Sequence, residues 1–598
     1  MPCKPKNNDM NDIKRHVDAL RQLMKAYQID AFITPSTDPH SGEYVPSRWY
    51  SREWISGFNG SAGTAVVTIN NAALWTDSRY FLHAEEQLKD TGFTLQKDKI
   101  EGTPTISEWI GQQVEEGGCV GVDGWTNTVE SVKSLKKELS EYGLSLRTDI
   151  DPYETIWTDR PSLPDDKVFL HPLELSGEDT SSKISRIREA YHKNKADGLL
   201  VSMLDEVAWT LNLRGNDIEY NPVFVSYLLI CDDNVTLYIQ QSKLTNDVID
   251  YLAGKGIDIK DYDIIKDDLS HIGKKIQIEP AKTNYGAYTC LSNPVEAACP
   301  VSTMKIMKND VEIEGYHNAM LKDGIAMVKW MKWALQAVKE GGQTELSLEA
   351  RLTALRKEQP LYKGPSFATI IGYAAHGAIV HYEPTPASDI PVEPKGLLLC
   401  DSGAQYQDGT TDITRTLPLG PLTEEERRDY TLMLRGFINL SRVHFPRGTY
   451  GSQLDCLARA PMWEYGINYL HGTGHGVGSF LNVHEGPHQF RMNYMPTPLL
   501  PTMTITDEPG IYITDQHGVR HENTMLVIED KDGITFGPYY QFEQLTLCPI
   551  LTSPIVVEML QQEEKDWFNQ YQQMVYDKLA SHLDEETRNW LHEVTRAI

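Results

Sequence analysis

The chain has 598 residues, of which 40% are hydrophobic and 23% charged, a composition typical of a globular protein with several domains. Its 84 acidic residues outnumber 56 basic ones, and a formal charge of −28 would repel nucleic-acid phosphates and anionic lipid, so we expect neither as a partner. No apolar run reaches the roughly 18 residues of a membrane span, and the residues after Met1 are not typical of a signal peptide. These features predict a cytoplasmic protein.

Two features divide the chain into three predicted domains, at residues 1–159, 160–309 and 310–598. Residues 159–166 combine two prolines with charged side chains, which suits an exposed connector better than the interior of a helix or strand. Further on, Asn309 can cap a helix while Glu312 reaches back in a capping box. The pattern predicts a long helix that runs through Trp330 and Trp333 towards Gly341.

The first two predicted domains resemble each other. In each, an amphipathic helix (13–27 and 184–195) leads into an apolar strand. A tryptophan then lies six residues before a glycine, at Trp54 in the first domain and at Trp209 in the second, and paired apolar runs follow. This order predicts two related α/β domains, with chance similarity between two ordinary α/β domains as the alternative.

The third predicted domain mixes long helices with β runs rich in glycine and aspartate, which favours an α+β fold. Its tail, residues 556–594, places four large apolar side chains at helical spacing: Leu560, Trp567, Tyr571 and Met574. We expect a helical extension whose apolar face packs in the core or against another subunit.

Residues 396–416 read as two strands around Asp408-Gly409, a dipeptide typical of a tight hairpin turn. A two-residue loop there would put Gln405 opposite Asp412 and leave Asp401 four residues away, about 13 Å along the strand. That distance is too large for two carboxylates to share an ion. The hairpin must therefore open wider or bulge near Gly403, and the sequence leaves both possibilities open.

A segment rich in glycine and histidine follows at residues 471–487. Its glycines allow backbone and imidazole groups to approach something bulky or charged. It lacks the Lys-Ser/Thr ending of a phosphate-binding P-loop and is not placed like a dinucleotide fingerprint. The histidines therefore favour a metal or acid–base site.

Two further acidic residues complete the set of candidate metal ligands. Pro509 biases Glu508 towards an extended conformation, which would hold its carboxylate still. In the strand-like run 520–527, alternation places Arg520, Glu522 and Thr524 on one face and leaves Met525 and Val527 for the core. Taken singly, such residues usually belong to turns or solvated faces. Together, four carboxylates and one imidazole would suffice for two divalent ions if some carboxylates bridge.

In these motifs the sequence resembles the pita-bread metallopeptidases, specifically the three-domain cytosolic aminopeptidase P family. DSGAQY, DGTTD, TRT, HGTGHGVGSFLNVHEGP, TDEPG and R-x-E-N occur in the family's order, and SGFNGSAGTA, WTDSRYFL, IWTDRP and NLRGNDIEYNPVF extend the resemblance over nearly the whole chain. The resemblance implies two creatinase-type N-terminal domains followed by a pita-bread catalytic domain with a C-terminal helical extension. It also implies a homodimer.

Roles for individual residues come from this resemblance. The family's five metal ligands match Asp401, Asp412, His475, Glu508 and Glu522, with Asp412 and Glu522 in the bridging positions. Substrate contacts match Arg79, His381, His475 and His484, and His471 matches a histidine behind the ligands. Two divalent cations per subunit are implied, manganese first and zinc as the alternative.

Two departures from the family pattern stand near these motifs. The stretch between His475 and Glu508 is about one residue shorter, and His521 occupies a position where an apolar residue is common. Neither departure changes a ligand. The shorter stretch leaves open the preference for substrate residues beyond the first two.

The implied reaction removes the N-terminal residue from peptides whose second residue is proline. Because that bond is a tertiary amide without an N–H, an enzyme that must bind the amide proton loses a contact. A water bridging two cations would attack the carbonyl, Glu508 would move the proton, and His381 and His484 would stabilise the oxyanion and position the peptide. The alternatives are a prolidase-like dipeptidase, restricted to dipeptides, and a catalytically silent peptide-binding module, which would lack the ligands.

Overall fold

A computed structural model describes residues 10–532 and 535–598. These residues form two compact units. One comprises the chain up to Leu170 together with Asp179–Val301, and the other comprises His171–Glu178 together with Ser302–Ile598. Within the described ranges, no helix combines the length and the hydrophobicity needed to cross a bilayer.

The first unit begins with a six-stranded sheet. Its strands are β1 (Ala31–Pro35), β2 (Thr64–Thr68), β3 (Ala72–Thr76), β4 (Thr94–Lys97), β5 (Cys119–Val122) and β6 (Ser145–Arg147), and its helices are α1 (Met10–Tyr27), α2 (Ser51–Ser56), α3 (Phe81–Gln87), α4 (Ile106–Gln113), α5 (Val129–Ser140) and α6 (Tyr153–Ile156). The strand order is β4-β3-β2-β1-β5-β6. β1–β2 and β2–β3 are antiparallel and the other pairs are parallel.

The next stretch repeats this architecture. Its strands are β7 (Phe169–Leu170), β8 (Gly198–Val201), β9 (Leu213–Arg214), β10 (Tyr227–Cys231), β11 (Val235–Tyr238), β12 (Ile257–Lys260), β13 (Lys275–Ile278) and β14 (Asn293–Glu296). Its helices are α7 (Leu173–Ser176), which belongs to the second unit, α8 (Thr180–Lys193), α9 (Leu204–Leu211), α10 (Asn246–Gly254), α11 (Ile265–His271) and α12 (Tyr285–Cys290).

The second sheet has the order β12-β11-β10-β8-β13-β14. If the strands of each sheet are numbered along the chain, both sheets have the same spatial order. Each pair of neighbouring strands is parallel or antiparallel like its counterpart in the first sheet. The predicted relation between the two α/β domains is therefore confirmed. One detail differs from the sequence pattern: the apolar run 223–230, which predicts a strand over its whole length, forms strand only from Tyr227. Earlier in the run, the Val225 N–H donates to the Asp217 carboxylate (2.6 Å) instead of a neighbouring strand.

The second unit is α+β, as predicted. Its strands are β15 (Tyr362–Pro365), β16 (Ile370–Tyr373), β17 (Leu397–Ser402), β18 (Ala404–Tyr406), β19 (Gly409–Thr410), β20 (Ile413–Pro418), β21 (Phe445–Pro446), β22 (Gly474–Gly476), β23 (Glu485–Phe490), β24 (Thr504–Asp507), β25 (Gly510–Ile513), β26 (His517–Arg520), β27 (Asn523–Asp530) and β28 (Tyr539–Gln544). Its helices are α13 (Pro300–Ile306), which crosses the boundary between the units, α14 (Asp310–Glu340), α15 (Glu345–Lys357), α16 (Glu424–Ser441), α17 (Gly451–Trp463), α18 (Gln562–Leu579) and α19 (Glu585–Val594).

The long helix α14 confirms the predicted capping box. The Asn309 side chain accepts hydrogen bonds from the N–H groups of Val311 and Glu312, and the Glu312 carboxylate accepts one from the Asn309 N–H. These contacts satisfy backbone donors that the first helical turn leaves without partners. The helix ends at Glu340, where Gly341 adopts a φ of +86°.

The C-terminal helices α18 and α19 pack on α14, and α18 also packs on α16. The predicted apolar face is confirmed, because Leu560 and Tyr571 are buried in this core and Trp567 and Met574 pack against it. The C-terminal extension is thus part of the hydrophobic core of the second unit.

Strands β17 and β20 of the sheet β16-β17-β20 lead into the hairpin that carries the first two predicted ligands.

Candidate metal centre

The hairpin with Asp401 and Asp412 differs in register from the prediction. Asp401 pairs with Thr414, and further along the hairpin Gln405 pairs with Thr410. The two-residue loop consists of residues 407–408, one position before the Asp408-Gly409 turn that the sequence indicated. The expectation that the hairpin opens wider or bulges near Gly403 was therefore wrong, because the pairing shifts instead. In the observed register Asp412 faces the position two residues beyond Asp401, which places the two carboxylates as diagonal neighbours on one face.

A distant lysine accounts for this register. Asp408 lies in the loop, and its carboxylate accepts hydrogen bonds from Lys322 Nζ at 2.6 and 2.7 Å. Both side chains are almost completely buried. Because an unpaired buried carboxylate would be costly, this pair favours the loop that lets Asp408 reach α14.

The hairpin ladder is interrupted at Gly403, between β17 and β18, which is where the sequence indicated an irregularity. The register is the same on both sides, so no extra residue is inserted. The Ala404 N–H donates to Thr411 Oγ1 (3.0 Å), and the Thr411 N–H donates to the Ala404 carbonyl (2.9 Å). A Cβ at Gly403 would lie 2.1 Å from both the Thr411 carbonyl oxygen and Ser366 Oγ, so the close approach of these strands requires glycine.

The other three predicted ligands lie within a short strand or beside a strand end. His475 is in the middle of β22, Glu508 follows β24, and Glu522 lies between β26 and β27. His475 Nδ1 lies 2.9 Å from the Gly476 carbonyl, to which it must donate, so Nε2 is the nitrogen that faces the carboxylates. His475 Nε2 lies 3.5 Å from Asp412 Oδ2 and 3.6 Å from Glu508 Oε1.

The five side chains converge on one buried place. One ligand atom from each of Asp412, His475 and Glu522 lies within 4.8 Å of the other two. Burial and then the charges of Glu522, Asp401 and Glu508 raise the pKa of Asp412 well above its ordinary value. Burial and then the charge of Asp401 raise the pKa of Glu522 to about 7. These shifts are expected when several carboxylates share a small volume and the charge of Arg520 offsets only part of their repulsion.

The donor set fits divalent cations. Asp401 Oδ2 accepts a hydrogen bond from Arg520 Nη2 (2.6 Å), but Asp401 Oδ1 is buried and has no hydrogen-bond partner among the described residues. A buried carboxylate oxygen without a partner is costly, and a cation would satisfy it. Oxygen-rich ligands with one imidazole suit manganese, and zinc binds the same donors.

Hydrogen bonds behind the ligands hold them in place. Thr414 Oγ1 donates to Glu522 Oε2 (2.9 Å), and the Glu522 N–H donates to the Thr414 carbonyl (3.0 Å). Arg520 Nη1 donates to the Tyr512 hydroxyl (2.6 Å), which lies 2.8 Å from His471 Nε2. His471 is therefore connected to Asp401 through two intermediate residues, Tyr512 and Arg520.

The alternation predicted for residues 520–527 is confirmed for the core residues only. Met525 and Val527 are fully buried in the core, but the strand is broken, since β26 ends at Arg520 and β27 begins at Asn523. Glu522 therefore projects from a junction between strands. His521 is also fully buried there, and its ring packs edge-on against Tyr430 (centroids 4.9 Å apart).

The residues predicted to contact substrate occupy different places. The His484 ring lies 4.4 Å from the His475 ring, at an angle of 82°, so it borders the ligand cluster. His381 follows a one-turn helix, Ala374–Ala378, and the carbonyl of the preceding Val380 accepts a hydrogen bond from Arg520 Nη2 (3.4 Å). Arg79 belongs to the first unit, where it forms two hydrogen bonds with Asp77, of 2.9 and 2.8 Å.

Sequence reasoning missed a buried cluster beside His484. Lys305 Nζ and Lys308 Nζ each donate to the Glu485 carboxylate at 2.6 Å, and all three side chains are buried. The Lys-x-x-Lys spacing alone gives no signal for this cluster, because the carboxylate is almost two hundred residues away. The cluster anchors the strand that begins one residue after His484.

Known protein families match the whole of this arrangement. The Creatinase/Prolidase N-terminal domain matches residues 16–150 and again residues 159–312. Metallopeptidase family M24 matches residues 314–529, and the C-terminal region of peptidase M24 matches residues 538–598. The first two matches agree with the repeated sheet topology, and the third covers all five predicted ligands.

Individual relatives are similar over nearly the full length. A probable Xaa-Pro aminopeptidase P of Paracoccidioides brasiliensis (strain Pb03) is 41% identical, over 98% of this chain and 99% of the relative. One of Neurospora crassa is 40% identical, over 96% of this chain and 87% of the relative. The crystal structure of an X-prolyl aminopeptidase from Caenorhabditis elegans, described as a cytosolic enzyme with a di-nuclear active site, superposes with a TM-score of 0.94 at 33% identity, over 98% of this chain and 100% of that one. The chain therefore belongs to metallopeptidase family M24, in its Xaa-Pro aminopeptidase P branch.

Proposed function

We propose that the protein is a metal-dependent Xaa-Pro aminopeptidase, which hydrolyses the bond between an N-terminal residue and a penultimate proline. The observation that carries this conclusion is the convergence of four carboxylates and one imidazole in a buried site. The full-length similarity to proteins named Xaa-Pro aminopeptidase P supports the substrate class. A binding module without catalysis would have no need for this ligand set.

The proposed cofactors are two divalent cations, manganese first and zinc as the alternative. Asp401, Asp412, His475, Glu508 and Glu522 would hold them, and Asp412 and Glu522 are proposed as the ligands that the two cations share. When bound, such cations supply Lewis acidity for the scissile carbonyl and lower the pKa of water in the site. The di-nuclear active site described for the C. elegans enzyme supports two ions.

The chain's own residues would bind and orient the peptide. Glu508 is proposed to move the proton between water and the departing proline nitrogen, because its carboxylate lies at the ligand cluster. His484, against the His475 ring, and His381 are proposed to donate to the carbonyl oxygen as negative charge develops on it. Arg79 is proposed to contact the substrate from the first unit. Arg520 fixes the orientation of Asp401 through a hydrogen bond of 2.6 Å.

Release of arginine from Arg-Pro-Pro tests this function. We expect cleavage with manganese, no cleavage after treatment with a chelator, and recovery when manganese is returned. Asp412→Asn should be inactive, whereas Glu464→Gln, on the exposed surface after α17, should match the wild type. Cleavage of Arg-Pro but not of Arg-Pro-Pro would indicate a prolidase-like dipeptidase. Binding of the tripeptide without cleavage in the presence of metal would indicate a silent binding module.

A homodimer formed through the second unit is proposed as the assembly. Three large apolar side chains at the end of α17 and just after it are exposed to solvent: Trp463 by 44%, Tyr465 by 52% and Leu470 by 62%. Exposed aromatic groups of this size are typical of contact surfaces. Light scattering should show a dimer at micromolar concentration, and Tyr465→Glu should weaken it. A monomeric wild type would contradict this assembly.

We also propose the three-domain division at residues 1–159, 160–309 and 310–598, and a cytoplasmic location. Residues 160–168 lie outside helices and strands, which supports a connector there. The description of the C. elegans enzyme as cytosolic supports the location. Limited proteolysis should cut first near residues 159–166, and cell fractionation should recover the protein with cytosolic markers. An early cut inside a sheet, or recovery with membranes, would contradict these proposals.

A further inference from the structure

We propose that the C-terminal extension, which together with the segment after β28 spans residues 545–598, is a working part of the metal centre, because it holds Arg415, which fixes the position of Glu522. Arg415 and Tyr571 are thus positioning residues that act on a metal ligand without contacting substrate. This inference rests on the proposed function, since it assumes that Glu522 binds a cation.

Arg415 joins the two chain segments that carry the predicted bridging ligands. It follows Thr414 on β20, and alternation along the strand points the two side chains to opposite faces. Thr414 Oγ1 donates to the Glu522 carboxylate, while Arg415 Nη1 donates to the Glu522 backbone carbonyl at 2.7 Å. Arg415 Nη2 donates to Asn523 Oδ1 at 2.8 Å. Glu522 is therefore held at its side chain from one face of β20 and at its backbone from the other.

Apart from the Thr414 carbonyl, 2.9 Å from Arg415 Nη1, the remaining acceptors for Arg415 come from the C-terminal extension. Arg415 Nε donates to the Pro549 carbonyl at 3.2 Å. Arg415 Nη2 lies 2.8 Å from both the Cys548 carbonyl and the Tyr571 hydroxyl. The Tyr571 hydroxyl itself donates to the Cys548 carbonyl (2.8 Å), and its buried ring stacks on Trp567 with centroids 5.5 Å apart. The extension thus forms about half of the cage around the guanidinium.

Because Arg415 is charged and buried, its guanidinium needs this set of hydrogen-bond acceptors. The side chain is 1% exposed, and among the described residues no carboxylate forms an ion pair with it. A buried guanidinium is tolerated only when each of its N–H groups meets an acceptor. Because arginine presents five donors in a fixed fork, a complete set of acceptors also fixes its orientation. Loss of one acceptor from the extension would therefore loosen the contact with Glu522.

Other contacts of the extension serve as matched controls, because they hold it on the second unit without reaching a predicted ligand. Arg435 on α16 also reaches α18, where its Nε lies 3.1 Å from a carboxylate oxygen of Glu564. None of its contacts involves a predicted ligand or a neighbour of one. Tyr576, on α18 like Tyr571, packs against His592 and serves as the tyrosine control.

The experiment is calorimetric titration of manganese into the full-length, metal-free protein. Arg415→Lys should weaken manganese binding by about 10- to 100-fold, as is usual when a group behind a ligand is changed. Tyr571→Phe, which removes one hydroxyl, should weaken it by about 2- to 10-fold, the effect of one hydrogen bond. Arg435→Lys and Tyr576→Phe should bind manganese like the wild type. Saturating manganese should restore most of the turnover of both test variants.

The outcomes separate this inference from the proposed function. Wild-type manganese affinity in both Arg415→Lys and Tyr571→Phe would overturn the inference, as would an equal loss of affinity in Arg435→Lys. Should Arg415→Lys fail to fold, the comparison of Tyr571→Phe with Tyr576→Phe decides by itself. A wild-type protein that binds manganese but leaves Arg-Pro-Pro intact would refute the proposed function and leave the affinity comparison valid.

Discussion

Removal of the cations should make the protein lose stability as the pH rises, and Glu522→Gln should remove much of that loss. In the structure, burial and then the charge of Asp401 raise the pKa of Glu522 from 4.5 to about 7. A carboxyl with a raised pKa binds its proton more tightly in the folded than in the unfolded state. Its contribution to stability is complete below pH 4.5 and is lost as the pH rises through 7.

The size of the effect follows from the two pKa values. The difference between 4.5 and about 7 corresponds to about 3 kcal/mol for Glu522. Glutamine cannot ionise, and its carbonyl oxygen can still accept the hydrogen bond from Thr414 Oγ1. At pH 8 the metal-free Glu522→Gln variant should therefore be up to about 3 kcal/mol more stable than the metal-free wild type, and the difference should shrink steadily as the pH falls towards 4.5.

Urea unfolding of chelator-treated protein between pH 5 and pH 8 measures this difference as a shift in midpoint. With saturating manganese the wild type should instead gain stability as the pH rises, because the ligands must lose their protons to bind metal. The surface variant Glu464→Gln controls for the loss of a charge. Equal pH profiles for metal-free wild type and Glu522→Gln, or a less stable Glu522→Gln at pH 8, would refute the electrostatic account of the site.

Substitutions at three other places test separate parts of the second unit. Gly403→Ala should lower both the melting temperature and the manganese affinity, since its Cβ would clash with the Thr411 carbonyl oxygen; unchanged affinity would show that the hairpin can adjust. His484→Ala should retain manganese but cleave a Xaa-Pro-Xaa tripeptide at least about 100-fold more slowly, and near-normal turnover would remove its catalytic role. Glu485→Gln should cost about 3–5 kcal/mol of unfolding free energy because it removes the charge of a buried carboxylate that accepts from two buried ammonium groups, whereas Lys308→Met should cost less; chemical denaturation showing the reverse order would contradict this account of the cluster.

Features set by local interactions could be predicted from the sequence. The capping box at Asn309 involves residues three positions apart, and the long helix begins where that box predicts. The repeated α/β domains were predictable because each repeats the same succession of helix, tryptophan, glycine and strands. Their common strand order then follows from the same hydrophobic pattern in both.

Features set by distant contacts could not be predicted. The register of the hairpin depends on Lys322, which lies far along the chain from Asp408, so the local turn preference of Asp408-Gly409 gave the wrong loop. Physical reasoning from spacing therefore left Asp401 and Asp412 too far apart. Resemblance to family motifs predicted the ligands as a set, because a motif carries information about contacts that a single sequence does not reveal.

Because the two strands of the hairpin keep one register, the number of residues between Asp401 and Asp412 is fixed. One residue gained or lost between Asp401 and Asp412 would turn one of the two carboxylates to the opposite side of the sheet and destroy the pair. Residues 491–498, by contrast, follow β23 on the surface without regular structure, so a shortening between His475 and Glu508 can be absorbed there. Insertions and deletions are thus tolerated in the segment 491–498, whereas the segment from Asp401 to Asp412 tolerates only substitutions.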